Sequence, residues 1–247
     1  MSTQAPTLGR PRIHLRSTDS TNDRARELAL AGAPHGTLVT AGEQTAGRGR
    51  QGRRWSAPAG RALLMSLLLR EPPALLPLVA ALAVCDVAGE EARIKWPNDV
   101  VFARGGEGGG EAEGEAGTLA KVAGILAEGR PQQGWAVLGI GLNVAVRVED
   151  LPPELHATAA TLGREPREVE PALQELLVAL QRRLGEPDER TLDAWRARDA
   201  LRGRAIAWSG GEGRAEGVDG AGRLVVALAG GGRTALDAGE VHLRLGG

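Results

Sequence analysis

Two rhythms of apolar residues run through the first two hundred positions. Ala25, Leu28 and Ala29 recur at helical spacing within 21–31, where Ser20 or Thr21 can accept a backbone N–H as N-cap and Gly32 is placed to end the helix. Residues 37–41 and 62–70 read as strands, the second apolar enough to be central. Residues 74–88 are apolar on nearly every face and read as a buried helix. Residues 94–102, 122–128 and 135–146 continue the strand series. Farther on, Leu173, Leu177, Leu180 and Leu184 share one face of a helix over 168–184, with Pro171 tolerated in its first turn, and 189–201 reads as a second helix. The mixture predicts an α+β fold on a mixed sheet.

The pattern breaks in three places. Residues 1–10 are polar and irregular, a frayed arm, so order is expected from near Ile13. Between Arg104 and Thr118 the chain is made of Gly, Glu and Ala, which cannot bury enough apolar surface to offset their ordering entropy; 103–118 is expected to be a disordered hairpin insert. From Gly203 onward, short apolar runs at 205–208, 224–228 and 241–245 are separated by Gly-rich turns such as Asp219-Gly220-Ala221-Gly222, the spacing of a small all-β barrel of about five strands. The expected division is a main domain over 11–200 and a small barrel over 201–247.

Charge and composition narrow the classes of function. Thirty basic side chains against 31 acidic ones leave a net charge of -1, so any positive site must be local, and neither nucleic acid nor a membrane surface is an expected partner. A single cysteine, Cys85, excludes an internal disulfide and a cysteine-rich zinc site. No signal-peptide pattern opens the chain, and uncharged runs such as 72–85 fall short of the roughly 20 residues of a membrane helix. A soluble cytoplasmic protein is expected. With one Phe, no Tyr and five Trp, a tryptophan beside charged residues carries weight.

Four segments of the main domain gather glycine with charged or amide side chains. In Gly47-Arg48-Gly49-Arg50-Gln51-Gly52-Arg53-Arg54-Trp55, arginine forks and exposed backbone N–H groups suit phosphate or carboxylate oxygens, and a flexible loop of this kind would fold over its ligand. It also satisfies G-x-G-x-x-G, but Pro58 and Gly60 leave no room for the helix that a dinucleotide fold needs. The plainer reading is a solvated basic loop. In Lys95-Trp96-Pro97-Asn98-Asp99, Pro97 keeps Trp96 out of helical geometry where an ammonium, an amide and a carboxylate cluster; Lys95 suits phosphate, Asn98 a ligand's polar edge and Asp99 a Mg²⁺ ion. The alternative is a turn with a salt-bridged lysine. Lys121 opens an apolar strand with Gly124 inside it, and Gly139, Gly141 and Asn143 clear one face of another. Close approach of a ligand or ordinary sheet packing would each explain those glycines.

Taken with Asp19-Ser20-Thr21-Asn22 at a helix start and Gln44 ahead of the arginine loop, these segments resemble the biotin protein ligases, also called biotin–[acetyl-CoA-carboxylase] ligases. All five motifs fall in that family's order and, with the C-terminal region, cover nearly the whole chain after residue 10. The resemblance implies a mixed-sheet catalytic domain of the biotin/lipoate ligase type followed by an SH3-like barrel. It also implies a two-step reaction, in which biotin and ATP give biotinyl-5′-AMP and the biotin then passes to a lysine of a biotin carboxyl carrier protein domain. Residue by residue, Ser20, Thr21, Asn22, Gln44, Gly47, Arg48, Gly49, Arg50, Trp55, Lys121, Gly124, Ile125 and Leu126 would bind biotin. Arg50, Arg53, Trp55, Lys95, Asn98 and Asn143 would bind nucleotide, with Lys121, Arg50 and Lys95 catalytic and Asp99 on the Mg²⁺ side.

Two carboxylate-bearing or phosphate-bearing anions repel, so fixed cations are the chemistry such a reaction needs; no cysteine, histidine or serine nucleophile is required. Some family members carry an N-terminal helix-turn-helix and repress transcription. Ser20 lies too near the start for one here, so an enzyme without DNA binding is expected. The insert before Lys121 is longer than the family's hairpin. A homodimer is allowed, with no residue that decides it. The rivals are a lipoate-type ligase and a non-catalytic module that binds a small acid.

Overall fold

The computed structural model describes residues 8–104, 117–130, 133–238 and 244–245. In chain order the first part comprises β1 (Arg12–Leu15), α1 (Thr21–Leu30), β2 (Leu38–Ala41), β3 (Ala62–Arg70), α2 (Leu76–Ala88), β4 (Arg93–Lys95), β5 (Asp99–Arg104), β6 (Thr118–Arg130) and β7 (Trp135–Asn143). Two helices follow, α3 (Val169–Leu184) and α4 (Asp188–Arg196), and then β8 (Ala205–Trp208), β9 (Gly211–Val218), β10 (Leu224–Ala227), β11 (Arg233–Leu236) and β12 (Arg244–Leu245). The first seven strands form one sheet in the order β1-β2-β3-β7-β6-β5-β4, parallel between β1 and β2 and antiparallel elsewhere, which is the mixed sheet expected. The last five form an antiparallel sheet in the order β11-β10-β9-β8-β12.

Strand alternation gives the large sheet two unlike faces. On one face Leu63, Met65, Leu67 and Leu69 of β3 and Leu138, Ile140 and Leu142 of β7 pack in the main core beneath α2, whose residues 80–85 are fully buried. That explains why α2 lacks a polar stripe: α3 and α4 cover its outer side. The same core continues into the small sheet through Ile206, Ala215, Leu224 and Val226. On the opposite face β3 carries Ala62, Leu64, Ser66 and Leu68, and β7 carries Gly139, Gly141 and Asn143. α1 covers that face near Leu68, Val137 and Gly139, and the segment around Val146, Leu151 and Ala159 packs on Ala62 and Leu64 at the other end. A hollow remains between them over the glycines of β6 and β7.

Several expected boundaries are corrected. The single strand over 94–102 is two, because Pro97 has no N–H for a ladder and Trp96 turns inward, 1% exposed, with Nε1 donating to the Gly222 carbonyl at 3.0 Å. The helix expected over 189–201 ends at Arg196; beyond it the chain pairs with β4, the Ile94 amide donating to Arg198 and the Ala200 amide to Ile94. The strand expected over 135–146 ends at Asn143. Ser20 is the N-cap of α1 but its hydroxyl makes no capping bond; the Thr21 amide donates instead to Gln44 Oε1 at 2.7 Å. Order begins before Ile13, with Leu8 buried, while the rest of the expected arm, residues 1–7, lies outside the described residues. The ends of the expected insert are paired strand, Ala103 with Leu119 and Arg104 with Thr118, while 105–116 lies outside the described residues.

Candidate active site

The glycine-bearing part of the sheet forms the floor of a cavity of about 410 Å³, roofed by the Gly47–Trp55 loop and closed at the side by the turn between β4 and β5. Strand register builds that floor. Gly124 of β6 pairs with Gly141 of β7 on one side and with Asp99 of β5 on the other. A Cβ on Gly141 would lie 2.5 Å from the Trp55 indole, and one on Gly124 would lie 3.0 Å from Lys121 Nζ and 3.1 Å from that indole. The glycines therefore let an aromatic ring and an ammonium rest directly on the sheet.

Lys121 reaches this face because of a β-bulge. Three residues from Gly124, in a regular strand it would point into the core; the register shifts between Val100 and Val101, with Val100 opposite Ala123 and Val101 opposite Lys121, so Val122 is the extra residue. Its backbone then leaves β7 and bonds to the segment at Thr158 and Ala160. The ammonium pairs with Asp99 at 2.6 Å and sits 5.4 Å from the Trp55 ring centroid. Close by, burial pushes Lys95 below the ordinary lysine range; Asp99 opposes that shift, while Lys121 and Arg53 add to it. Arg50 is likewise pushed down by burial, opposed by Asp99, and donates to Asn98 Oδ1 at 3.2 Å. Asn98 is itself fixed by donating to the Ile125 carbonyl at 3.0 Å. Asp99 is the one carboxylate among the described residues that line the cavity, and no cluster of three metal-binding side chains occurs among them. One carboxylate suits a Mg²⁺ ion that arrives on nucleotide phosphates rather than a resident metal.

The other end of the cavity is neutral and hydrogen-bonding. Gln44 Oε1 accepts from both the Thr21 amide and its hydroxyl, at 2.7 and 3.0 Å, and Ser66 Oγ lies 2.8 Å from Thr21 Oγ1 and 2.6 Å from Asn22 Oδ1. Asn22 Nδ2 donates to Glu128 at 2.8 Å. Among the buried side-chain polar atoms that lack a hydrogen bond, Trp55 Nε1 and Asn143 Oδ1 belong to residues that line the cavity.

All but one of the residues singled out from sequence line this cavity. Gly47 does not: it is buried at the base of the loop hairpin, its carbonyl accepting from the Trp55 amide, and a side chain there would strike the Trp55 backbone. Three others sit differently from expectation. The Ile125 side chain belongs to the main core and its backbone holds Asn98. The Asn22 amide is engaged by Ser66 and Glu128, and the Arg48 guanidinium by Asp23 and Glu128. Met65 and the Leu151–Ala159 wall were not legible as lining residues, nor was Ser66, which lies buried behind the cavity and bonds to Thr21 and Asn22, since as sequence they are an apolar strand and a loop without motif; only the even spacing of Ala62, Leu64 and Ser66 on the glycine face could have drawn attention to Ser66.

Comparison with known proteins places these features in a family. Residues 14–144 match the Biotin/lipoate A/B protein ligase family. A biotin–[acetyl-CoA-carboxylase] ligase of Paracoccus denitrificans is 35% identical over 237 residues, which cover 86% of this chain and 92% of that protein. A bifunctional ligase/repressor of Bacillus spizizenii is 37% identical over 169 residues, 64% of this chain and 47% of the relative, so the match spans about half the length of that protein. Among solved structures, the biotin protein ligase of Aquifex aeolicus in complex with biotin and ATP superposes with a TM-score of 0.74 at 27% identity, covering 96% of this chain and 100% of that one.

Proposed function

The chain belongs to the Biotin/lipoate A/B protein ligase family, and we propose that it is a biotin protein ligase, which joins biotin to ATP as biotinyl-5′-AMP and passes the biotin to a lysine of a biotin carboxyl carrier protein domain. The observation that carries this reading is the juxtaposition of Lys121, Lys95 and Arg50 around one carboxylate, with Lys121 and Trp55 resting on the glycine floor. In the first step an oxygen of the biotin carboxylate bonds to the α-phosphorus of ATP, the bond from that phosphorus to the bridging oxygen breaks, and pyrophosphate leaves. Both reactants are anions, so their approach in water is opposed; cations fixed in a partly dry cavity remove that opposition and stabilise the charge that builds on phosphorus. Lys121 is placed to bridge carboxylate and α-phosphate by giving up Asp99 in part, and Lys95 and Arg50 to hold the remaining phosphate oxygens. Asp99 is the carboxylate that would hold a Mg²⁺ ion bound to the ATP phosphates, and the ion would supply further neutralisation of their charge. In the second step the carrier amine attacks the acyl carbon, loses a proton and displaces AMP.

The neutral end of the cavity suits the ureido head of biotin, with Thr21, Gln44 and Ser20 as its polar contacts and the glycine floor beside its thin apolar body. The partnerless acceptor of Asn143 and the loop residues Arg53 and Trp55 fit the nucleoside side. The two-domain division near residue 201 and a barrel of SH3 type for the small sheet belong to the same reading, supported by its five antiparallel strands. Biotin-dependent exchange of labelled pyrophosphate into ATP tests the proposal. Exchange with biotin and little with lipoate is expected; exchange with lipoate alone would assign a lipoate ligase, and none with either acid would reduce the site to a binding pocket.

A further inference from the structure

The arginines of the Gly47–Trp55 loop face different ways. Arg50 points into the cavity toward Asn98, while Arg48 leaves the cavity's charged end and binds two carboxylates from separate elements, Asp23 of α1 at 2.8 Å and Glu128 of β6 at 3.1 Å. Arg26 of α1 binds the same two carboxylates, at 3.0 and 3.2 Å. The four charges alternate in a closed ring, in which each guanidinium touches both carboxylates. Glu128 is further held by Asn22 at 2.8 Å. The loop itself is a narrow hairpin, closed by the Gly49 amide on the Arg53 carbonyl and the Trp55 amide on that of Gly47. A tether on Arg48 therefore moves the whole hairpin, Arg50 and Trp55 included.

We propose that Asp23 and Glu128 are positioning residues that act through Arg48 to hold this loop down over the cavity, so that bound substrates and the acyl adenylate are retained. The inference rests on the biotin ligase reading for its functional part. An acyl phosphate anhydride hydrolyses readily in water, so a roof that opens too often releases or wastes it. The ring is a third exposed or more at Arg48 and less at Glu128, 41% against 25%, which makes it strong enough to bias the loop and weak enough to let ligands in. None of the four side chains needs to touch a reacting atom.

The test compares wild type with the Asp23→Asn/Glu128→Gln double variant, which keeps the shapes and removes both negative charges. In ligand-free protein, trypsin is expected to cut at Arg50, Arg53 or Arg54 about tenfold faster in the variant. In pyrophosphate exchange, KM for biotin is expected to rise about tenfold with kcat within about twofold of wild type. Free biotinyl adenylate released without carrier, measured by mass spectrometry, is expected to rise severalfold, and raising salt is expected to shift wild type toward the variant. Unchanged cleavage would overturn the tether whatever the activity. Faster cleavage with unaltered KM and retention would overturn its functional role, as would kcat and melting temperature falling together. A wild type without any exchange defeats the ligase reading instead, and cleavage of the loop then still decides whether the tether exists.

Discussion

At the scale of single residues, chemistry concentrates where a cation is held by one carboxylate that a ligand can replace. Lys121 is such a residue, with Asp99 at 2.6 Å and the Trp55 ring beneath it. Lys121→Ala is expected to lower adenylate formation about 100-fold or more, on the order of 3 kcal/mol of transition-state stabilisation, while the melting temperature stays close to wild type. Pyrophosphate exchange with a parallel thermal melt checks this, and exchange at the wild-type rate would remove Lys121 from the mechanism. Lys95 gives a different signature. Burial makes it release its proton below the ordinary value of 10.5, and a phosphate placed beside it restores that proton. In the alkaline window between the depressed and the ordinary value, nucleotide binding should take up protons, and affinity should fall as pH rises through the depressed value. Calorimetry in two buffers of unlike ionisation enthalpy, repeated at alkaline pH values stepped up to 10.5, would detect the uptake, and identical heats throughout would contradict it. These residue types were legible in sequence, because charged and amide side chains beside glycine are uncommon in apolar strands. Which of them face one another was not: Arg48 and Arg50 read alike in the loop, and only the fold separates a tether from a ligand-facing arginine.

Elements decide which side chains can meet. The bulge at Val122 brings Lys121 onto the face of Gly124, a rotation that no periodicity argument could foresee because apolar residues flank it on both sides. β7 shows the opposite case: Gly139, Gly141 and Asn143 alternate with Leu138, Ile140 and Leu142, so its two faces were readable directly. Gly141→Ala should push the indole of half-buried Trp55 off the floor, raising KM for biotin about tenfold with little loss of stability, because Trp55 sits on a surface loop that can shift. Kinetics and a circular dichroism melt would show it, and an unaffected KM would mean the ring does not rest on the floor in the working enzyme. Elsewhere glycine concealed strands. β9 contains Gly211, Gly213 and Gly217 and was hidden among expected turns, and β11 is too polar to announce itself. The break of 94–102 at Pro97 was legible as a constraint on Trp96 but not as a sharp turn between two strands.

Over the whole molecule one apolar core serves both sheets, which is why α2 reads as buried on every side and why the junction beyond α4 matters. Asp199 lies at that junction, with Oδ1 accepting from the Leu201 amide and Oδ2 buried without a partner; burial raises its carboxyl above the ordinary 3.8. A raised carboxylate stabilises the fold in its protonated form, fully below the unfolded value, and loses that contribution as pH climbs through the folded one. Asp199→Asn should therefore stabilise the protein near neutrality by about 1 kcal/mol, with the difference shrinking as pH falls toward 4. Thermal melts across that range would show it, and a variant destabilised equally at every pH would contradict the account. The fold class and most strands of the large sheet followed from apolar spacing, while the core shared with the small sheet did not, since no sequence pattern distinguishes a strand buried by its own sheet from one buried by the next. Among the described residues no helix is long and apolar enough to cross a membrane.

The central claim is that this cavity makes biotin and ATP react by holding their negative groups together with Lys121, Lys95 and Arg50. Incubating the purified protein with biotin, ATP and Mg²⁺, without any carrier, and weighing the bound small molecule by mass spectrometry tests it most directly. The account predicts protein-bound biotinyl-5′-AMP together with one pyrophosphate released for each molecule formed. Recovery of unreacted biotin and ATP from a protein that binds both would contradict it.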